Sequence, residues 1–170
     1  AYKEKFAPKE PAPVLEEVSI EDTDLAQAVE EMKKAMAENP IDPNVSQTPV
    51  AEDQNFSGAK IKQGVFQNLN YMSSGTASIE EKDGRYFVVL GEDFSTPNGP
   101  DLQLYLTKNS EPTQRSDIQE GLPLGKLKSI TGKQMYPIAT EIDIALYKSL
   151  SIHCKAFNVP WSYAPLAETK

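Results

Sequence analysis

The sequence predicts an all-β domain, a β-sandwich or partly closed barrel, preceded by one amphipathic helix and proline-rich linkers. From residue 57 onward apolar and polar side chains alternate, which is the period of a strand. Turn residues recur in the same part of the chain every eight to fifteen residues, as they do in all-β domains. Ahead of it, only residues 19–39 carry apolar side chains at helical spacing.

The N-terminal part divides into an extended tether and a helix. Residues 1–18 include Pro8, Pro11 and Pro13, and proline is disfavoured inside helices and central strands, so we expect an extended tether. Residues 19–39 form the predicted helix, which ends before Pro40. Its apolar stripe packs either on the β domain of the same chain, the favoured alternative, or on a partner helix; two heptads are too few to indicate a coiled coil. The stripe consists of Leu25, Ala28, Val29, Met32, Ala35 and Met36.

A second linker separates the helix from the β domain. Residues 40–56 contain further prolines and show no periodicity, so we expect them to lack regular structure. The β domain then spans residues 57–170, with an Asp83-Gly84 hairpin turn. The predicted strands are Lys60–Leu69, Thr76–Ile79, Arg85–Leu90, Leu102–Thr107, Leu124–Ser129, Gln134–Ile138 and Ser149–Val159.

The charge distribution excludes some classes of partner. Residues 1–56 hold 13 acids and 5 bases, whereas residues 57–170 hold 12 of each, so the whole net charge of −8 lies in the N-terminal part. Nucleic acid is therefore not an expected partner, because neither part carries the basic stripe that a phosphate backbone requires.

One cysteine and one histidine are the main candidates for chemistry. Strand alternation places Cys154 on an apolar face with Leu150, Ile152 and Ala156. A thiol in such surroundings has a raised pKa and is more often an inert core residue than a redox thiol. His153 falls on the opposite, polar face, where a surface histidine without a role is the favoured interpretation.

Other catalytic and metal sites have little support. No second histidine or cysteine stands at zinc spacing, so we predict no metal, and no hydrolase motif is present. Haem ligation by His153 with Met72 or Met135 would require the fold to bring them together. The acids Glu92, Asp93 and Asp101 suggest turn residues rather than a calcium loop. The sequence leaves open whether the protein is an enzyme and whether it binds a cofactor.

Several motifs in sequence resemble the DM13 domain family over about residues 58–167. These are S-G-T-A-S-I, D-F-S-T-P-N-G-P-D-L-Q-L-Y-L, L-G-K-L-K-S-I-T-G-K-Q-M-Y-P-I and Y-K-S-L-S-I-H-C-K-A-F-N-V-P-W-S-Y-A-P-L. The resemblance implies a β-sandwich or barrel and a redox or electron-transfer role outside the cytoplasm, in the cell envelope or periplasm. Cys154 occupies the position of the family's recurrent cysteine. Members commonly have an aromatic residue just before it, where this chain has His153.

Two functional hypotheses follow from these observations. In the first, Cys154 is a redox thiol that cycles through sulfenic acid or a mixed disulfide with a protein partner, as the resemblance implies. In the second, the domain is a noncatalytic binding or structural module of the cell envelope and Cys154 is a buried core residue. The resemblance also implies that contact with a membrane would come only through an anchor ahead of Ala1.

Overall fold

The protein folds as a β-sandwich preceded by a helix. The computed structural model describes residues 11–39 and 42–169, with side chains described from residue 24 onward. In chain order the strands are β1 (Ala59–Val65), β2 (Gln67–Asn68), β3 (Thr76–Lys82), β4 (Arg85–Leu90), β5 (Leu102–Thr107), β6 (Leu122–Lys126), β7 (Gln134–Ile138), β8 (Ser149–Cys154), β9 (Val159–Pro165) and β10 (Ala167–Glu168). The helices are α1 (Pro11–Glu38) and α2 (Arg115–Gln119), with short 3-10 segments at Ala51–Asp53 and Ile144–Leu146.

The strands form two five-stranded antiparallel sheets. Sheet A has the order β10-β1-β3-β4-β7, and sheet B has the order β2-β9-β8-β5-β6. The sheets do not close on each other, so the predicted sandwich is confirmed and the barrel alternative is not needed. Their inner faces meet in a core of fully buried aliphatic side chains, among them Ile79, Val88, Leu90, Leu104, Leu106, Leu150 and Ile152.

The β3–β4 hairpin turns at the predicted dipeptide. Lys82 pairs with Arg85, and the two residues between them, Asp83 and Gly84, have φ angles of 54° and 78°. Positive φ at both central positions is the geometry that matches the right-handed twist of the flanking strands, which explains why Asp-Gly occurs here.

The last predicted strand, Ser149–Val159, is a hairpin. Strand β8 ends at Cys154 and β9 begins at Val159, with a turn between them in which Asn158 has a φ of 55°. Asparagine tolerates this left-handed conformation, so the chain reverses here instead of continuing as a strand. Ala156, predicted to share the inner face with Cys154, lies exposed in the turn.

Three other strand boundaries differ from the prediction. The segment Lys60–Leu69 divides at the buried Phe66 into β1 and β2, which belong to different sheets. Val65 and Phe66 are consecutive apolar residues, and this break in the alternation does not show that the chain crosses to the other sheet. Strand β3 continues to Lys82, and β6 begins at Leu122 and ends at Lys126, earlier than predicted.

Helix α1 begins at Pro11, within the predicted tether, and ends at Glu38. Pro11 and Pro13 fit the first turn because the amides there have no intrahelical acceptor, so their missing N–H groups cost nothing. Residues 1–10 of the predicted tether lie outside the described residues. The helix packs on β9 of the same chain and buries Met32 completely, as the favoured alternative predicts.

The predicted linker of residues 40–56 is irregular but anchored where the structure describes it, from residue 42 onward. Its side chains Val45, Asp53 and Phe56 are buried. Asp53 forms an ion pair with Lys128 and accepts the backbone N–H of Met135 at 3.1 Å. The segment therefore seals one edge of the sandwich.

We expect the Met32→Ala substitution to lower the free energy of unfolding by about 2 to 3 kcal/mol, because it removes a fully buried side chain from the helix–sheet contact. The measurement is urea denaturation followed by circular dichroism. Glu31→Ala, at an exposed neighbouring position, is the matched control and should change stability little. Equal stability of Met32→Ala and the parent protein would show that α1 does not pack on the sandwich in solution.

Candidate functional site at the Cys154 end of the sandwich

Cys154 lies at the end of β8 with its side chain in the core. It shares the inner face with Leu150 and Ile152, and all three residues are 0% exposed, so the predicted inward orientation is confirmed. The thiol donates a hydrogen bond to the carbonyl oxygen of Pro100 at 3.0 Å. Pro100 lies in the loop before β5. The first residue of β5, Leu102, pairs with Cys154.

Burial raises the pKa of the Cys154 thiol to about 11. The backbone amides of Phe157 and Ala156, in the turn after β8, act in the opposite direction, and the carboxylate of Asp101 adds to the increase. The sulfur is therefore a protonated thiol at neutral pH. It has little of the thiolate character and none of the access that nucleophilic thiol chemistry requires.

A stacked aromatic pair lies at the same end of the sandwich as the thiol, because Trp161 packs against Gly99 and the neighbouring Pro100 accepts the Cys154 hydrogen bond. The rings of Tyr71 and Trp161 are 4.1 Å apart between centroids and only 11° from parallel. Trp161 is completely buried, whereas Tyr71 is partly exposed. Burial raises the pKa of the Tyr71 phenol, and the charge that Cys154 carries when ionised raises it further.

Backbone contacts fix the aromatic pair in place. The amides of Asn70 and Tyr71 both donate to the carbonyl oxygen of Trp161, at 3.1 and 3.0 Å. Gly99 lies against the indole so closely that a Cβ atom there would come within 2.4 Å of the ring, so this position requires glycine. The β9 strand and two loops thus converge on Trp161.

A chain of hydroxyl groups continues from the indole. The Trp161 Nε1–H donates to Thr96 Oγ1 at 2.8 Å, and the Ser73 hydroxyl donates to the same oxygen at 2.8 Å. Because the single hydrogen of Ser73 is used in this way, the 2.6 Å contact between Ser73 and Ser162 is a donation from Ser162. All three hydroxyl residues are more than nine-tenths buried.

The hydroxyl chain borders an open cleft of about 540 Å³ at this end of the sandwich. Ser73 and Thr96 form its inner wall. Met72, one residue after Tyr71, lines the cleft and is 66% exposed. The remaining lining residues are Asn68, Ser74, Ser95 and Pro97.

His153 faces the outer side of sheet B, as alternation predicts, but it is not a surface residue. It is only 3% exposed, because α2 and the turn after β8 cover this face. Its Nε2 lies 2.9 Å from Asn158 Oδ1, and its ring meets Tyr105 edge-on. Burial lowers the pKa of His153, and the nearby Arg115 lowers it further against the opposing effect of Asn158. His153 is therefore a packed neutral histidine, on the face opposite to Cys154.

The other predicted candidates do not converge on a site. Asp93 accepts the backbone N–H and hydroxyl of Thr76, while Asp101 accepts from the side chains of Gln103 and Lys126. Both carboxylates therefore bond to neighbouring strands or loops instead of to the backbone of their own turn. Met72 and His153 line different cavities, and Met135 lies on β7 of the opposite sheet. Within residues 11–39 and 42–169, no group of three acidic, histidine or cysteine side chains could hold a metal ion.

The sequence did not reveal the residues at this end of the sandwich. The patterns assign no functional role to Tyr71, Ser73, Thr96 or Trp161. The hydrogen bonds of their hydroxyl chain join positions 23, 65 and 89 residues apart, which period and spacing do not encode. The one local signal was Trp161 itself, a lone tryptophan seven residues after the lone cysteine.

We expect Cys154 to resist a thiol reagent in the folded protein. Its raised pKa means about a hundredfold less thiolate at neutral pH than for a thiol of ordinary pKa, and its sulfur has no access to solvent. Labelling should be stoichiometric in denaturant and negligible without it, as followed by mass spectrometry. Rapid labelling of the native protein would contradict the burial and restore the sulfenic acid and mixed disulfide hypothesis.

Stability should fall as the pH rises from about 9 to about 11. The folded state holds Cys154 as a neutral thiol. The contribution of Cys154 to the free energy of unfolding is therefore complete below the ordinary thiol pKa of 9.0, and it is lost as the pH rises to the folded-state pKa of about 11. The loss attributable to Cys154 is about 3 kcal/mol. Urea unfolding of the parent protein and of Cys154→Ala is compared across this pH range. Because lysine and tyrosine titrate in both proteins, the difference between the two profiles is the stability loss caused by Cys154. Parallel pH profiles for the two proteins would refute the raised pKa.

Comparison with known families identifies the domain to which these residues belong. The family model described as electron transfer DM13 matches residues 65–166, which include every residue of the Cys154 site. Searches of curated proteins and of solved structures gave no match. Among the described residues no helix is long and apolar enough to cross a membrane. The match covers more than half of the chain, and the protein therefore belongs to the DM13 family of electron-transfer domains.

Proposed function

We propose that this protein is a small electron-transfer module in which Cys154, Tyr71 and Trp161 form the redox-active cluster. The observation that carries the proposal is the stacked pair of rings, 4.1 Å apart, whose indole packs on Gly99 next to the Pro100 carbonyl that accepts the hydrogen bond of the protein's single thiol. Thiol, phenol and indole are the side chains that most readily give up one electron. Here they lie at one end of the sandwich and are partly shielded from water.

The burial of the sulfur favours one-electron chemistry over nucleophilic chemistry. Sulfenic acid or a mixed disulfide forms when a thiolate attacks a second molecule, which requires direct access to the sulfur. Cys154 is 0% exposed and its pKa is raised to about 11, so this route is closed in the native fold. An electron needs only a chain of close groups, and the Tyr71 ring provides one that reaches the surface.

The proposed step conserves electrons and protons. A strong one-electron oxidant, either an oxyl radical or a high-valent metal centre in a partner protein, takes one electron from Tyr71. The phenolic proton passes to water at the exposed side of that residue. Cys154 then restores the phenol by giving up one electron and its S–H proton, and a thiyl radical remains. In total, one electron reaches the oxidant and one proton reaches the solvent.

A noncatalytic envelope module with Cys154 as a core residue is the second candidate. This candidate is supported by the complete burial of Cys154 and by its position on the inner face of the sheet with Leu150 and Ile152. Under this hypothesis Cys154→Ala would preserve every cellular function of the protein as long as it stays folded. Under the electron-transfer hypothesis the same variant would lose the function.

The extracytoplasmic location and the protein redox partner are parts of this proposal. They are supported by family membership and by the acidic N-terminal part, which leaves the β domain uncharged overall. An anchor ahead of Ala1 is the proposed link to a membrane. Recovery of the native protein in the cytosolic fraction of its producing cells would contradict the location.

Tyr71→Phe should slow the oxidation of Cys154 severalfold in a photochemical assay. Flash excitation of tris(bipyridine)ruthenium(II) with a cobalt(III) quencher generates a one-electron oxidant in solution. Phenylalanine keeps the stacked ring but removes the phenolic O–H, so the relay to the thiol is broken while packing is retained. Transient absorption follows the tyrosyl radical, and mass spectrometry after denaturation follows the loss of the thiol.

Tyr105→Phe provides the matched control. Tyr105 is also a partly exposed tyrosine on sheet B, but it contacts His153 on the outer face. Its substitution should leave thiol oxidation unchanged. If Cys154 stays reduced in the parent protein, or if the two variants behave alike, the cluster is not a redox relay and the noncatalytic hypothesis gains support.

A further inference from the structure

The cleft beside the hydroxyl chain has a hydrogen-bond donor with no acceptor. Thr96 Oγ1 accepts from both Trp161 Nε1 and Ser73 Oγ, which occupies the two lone pairs of the hydroxyl. Its own hydrogen must therefore point to a third group. Within residues 11–39 and 42–169 no acceptor receives it, and Thr96 is 4% exposed where it forms the inner wall of the cleft.

The size and lining of the cleft fit a small neutral ring. A volume of about 540 Å³ greatly exceeds the share of about 30 Å³ that one water molecule occupies. Met72 and Pro97 provide apolar surface, and a methionine sulfur makes favourable contacts with aromatic rings. None of the lining side chains is charged, which favours a neutral ligand.

The polar groups of the cleft favour a hydroxyl-bearing ring. A phenolic oxygen accepts the hydrogen bond from Thr96, and its own O–H needs an acceptor in turn. Asn68, Ser74 and Ser95 supply acceptor oxygens along the same cleft. A carbonyl-bearing ring would use the Thr96 donor but would offer no hydrogen to these exposed oxygens, whereas a hydroxyl-bearing ring uses both.

We propose that this cleft binds a neutral hydroquinone-type reductant, held by a hydrogen bond from Thr96 to its ring oxygen and by contact with Met72, and that this molecule re-reduces the oxidised Cys154 cluster. The redox part of the inference rests on the proposed function. The bound ring lies one hydrogen-bonded residue away from the indole of Trp161. The hydroquinone gives one electron and one proton and becomes a semiquinone, while the Cys154 thiyl radical gains both and becomes a thiol.

The binding test uses tetramethylhydroquinone under argon, because its quinone has no free ring position for addition to a thiol. Calorimetric titration measures the affinity, and the fluorescence of Trp161, the single tryptophan, reports on the contact with Thr96. We expect one saturable site. Thr96→Val should weaken binding about fivefold to tenfold, the usual effect of losing one hydrogen bond.

Two further variants keep the test decisive. Met72 is 66% exposed, so Met72→Ala should fold normally and should still weaken binding through the lost ring contact. This variant carries the test if Thr96→Val is unstable, since valine leaves the indole N–H without an acceptor. Thr140→Val is the matched control, because Thr140 is exposed in the turn after β7 and does not line the cleft.

The outcomes separate this inference from the proposed function. Absence of saturable binding, or equal affinity in the parent protein and Met72→Ala, would overturn the binding site. If binding fails while Cys154 is still oxidised through Tyr71, only the cleft proposal is lost. If tetramethylhydroquinone binds as expected while Cys154 stays reduced after photo-oxidation, the binding site stands and its redox role is overturned.

Discussion

The burial of Trp161 is the constraint on which this end of the sandwich depends. An indole N–H buried without a partner would cost about 1 to 3 kcal/mol, and Thr96 provides the acceptor. The ring needs a flat surface without a side chain, which Gly99 supplies, and an aromatic partner, which Tyr71 supplies. Because the backbone oxygen of Trp161 also fixes the loop of Tyr71, one residue determines the position of β9 and of both loops that surround Cys154.

The burial of Cys154 and the family's electron-transfer role are compatible once the kind of chemistry is specified. A thiolate nucleophile requires a low pKa and an accessible sulfur, and Cys154 has neither. Electron transfer requires proximity instead, and in the proposed function the partly exposed Tyr71 ring is the route from the sulfur to the surface. Under that proposal burial has a functional meaning, since a thiyl radical shielded in the core would be protected from dimerisation and from solution thiols.

Alternation predicted the inward orientation of Cys154 because a side chain's face depends only on its own strand. It also placed His153 on the outer face, but not its burial, which depends on α2 and a turn packing over the sheet. The reversal after Cys154 was missed because the positive φ of Asn158 leaves no period in the sequence. A register shift between Ile152 and His153 changes how β8 pairs with β9. The alternation within β9 therefore does not predict that Trp161 stacks on Tyr71.

Thr96 is explained by the indole N–H that it accepts, but the hydroxyl groups of Ser73 and Ser162 are difficult to explain by stability alone. Ser73, Thr96 and Ser162 are buried at the sandwich end, and burying a hydroxyl is unfavourable unless it is hydrogen-bonded. Apolar side chains of similar size would fill the same space without that requirement, since replacing both partners of a buried hydrogen bond is often nearly neutral. In the chain as it stands every group has a partner except the hydrogen of Thr96, a residue in the inner wall of an open cleft. A polar network with one unused donor beside a cleft is the arrangement expected of the proposed binding site, and its hydrogen bond to Trp161 would connect that site to the proposed redox cluster.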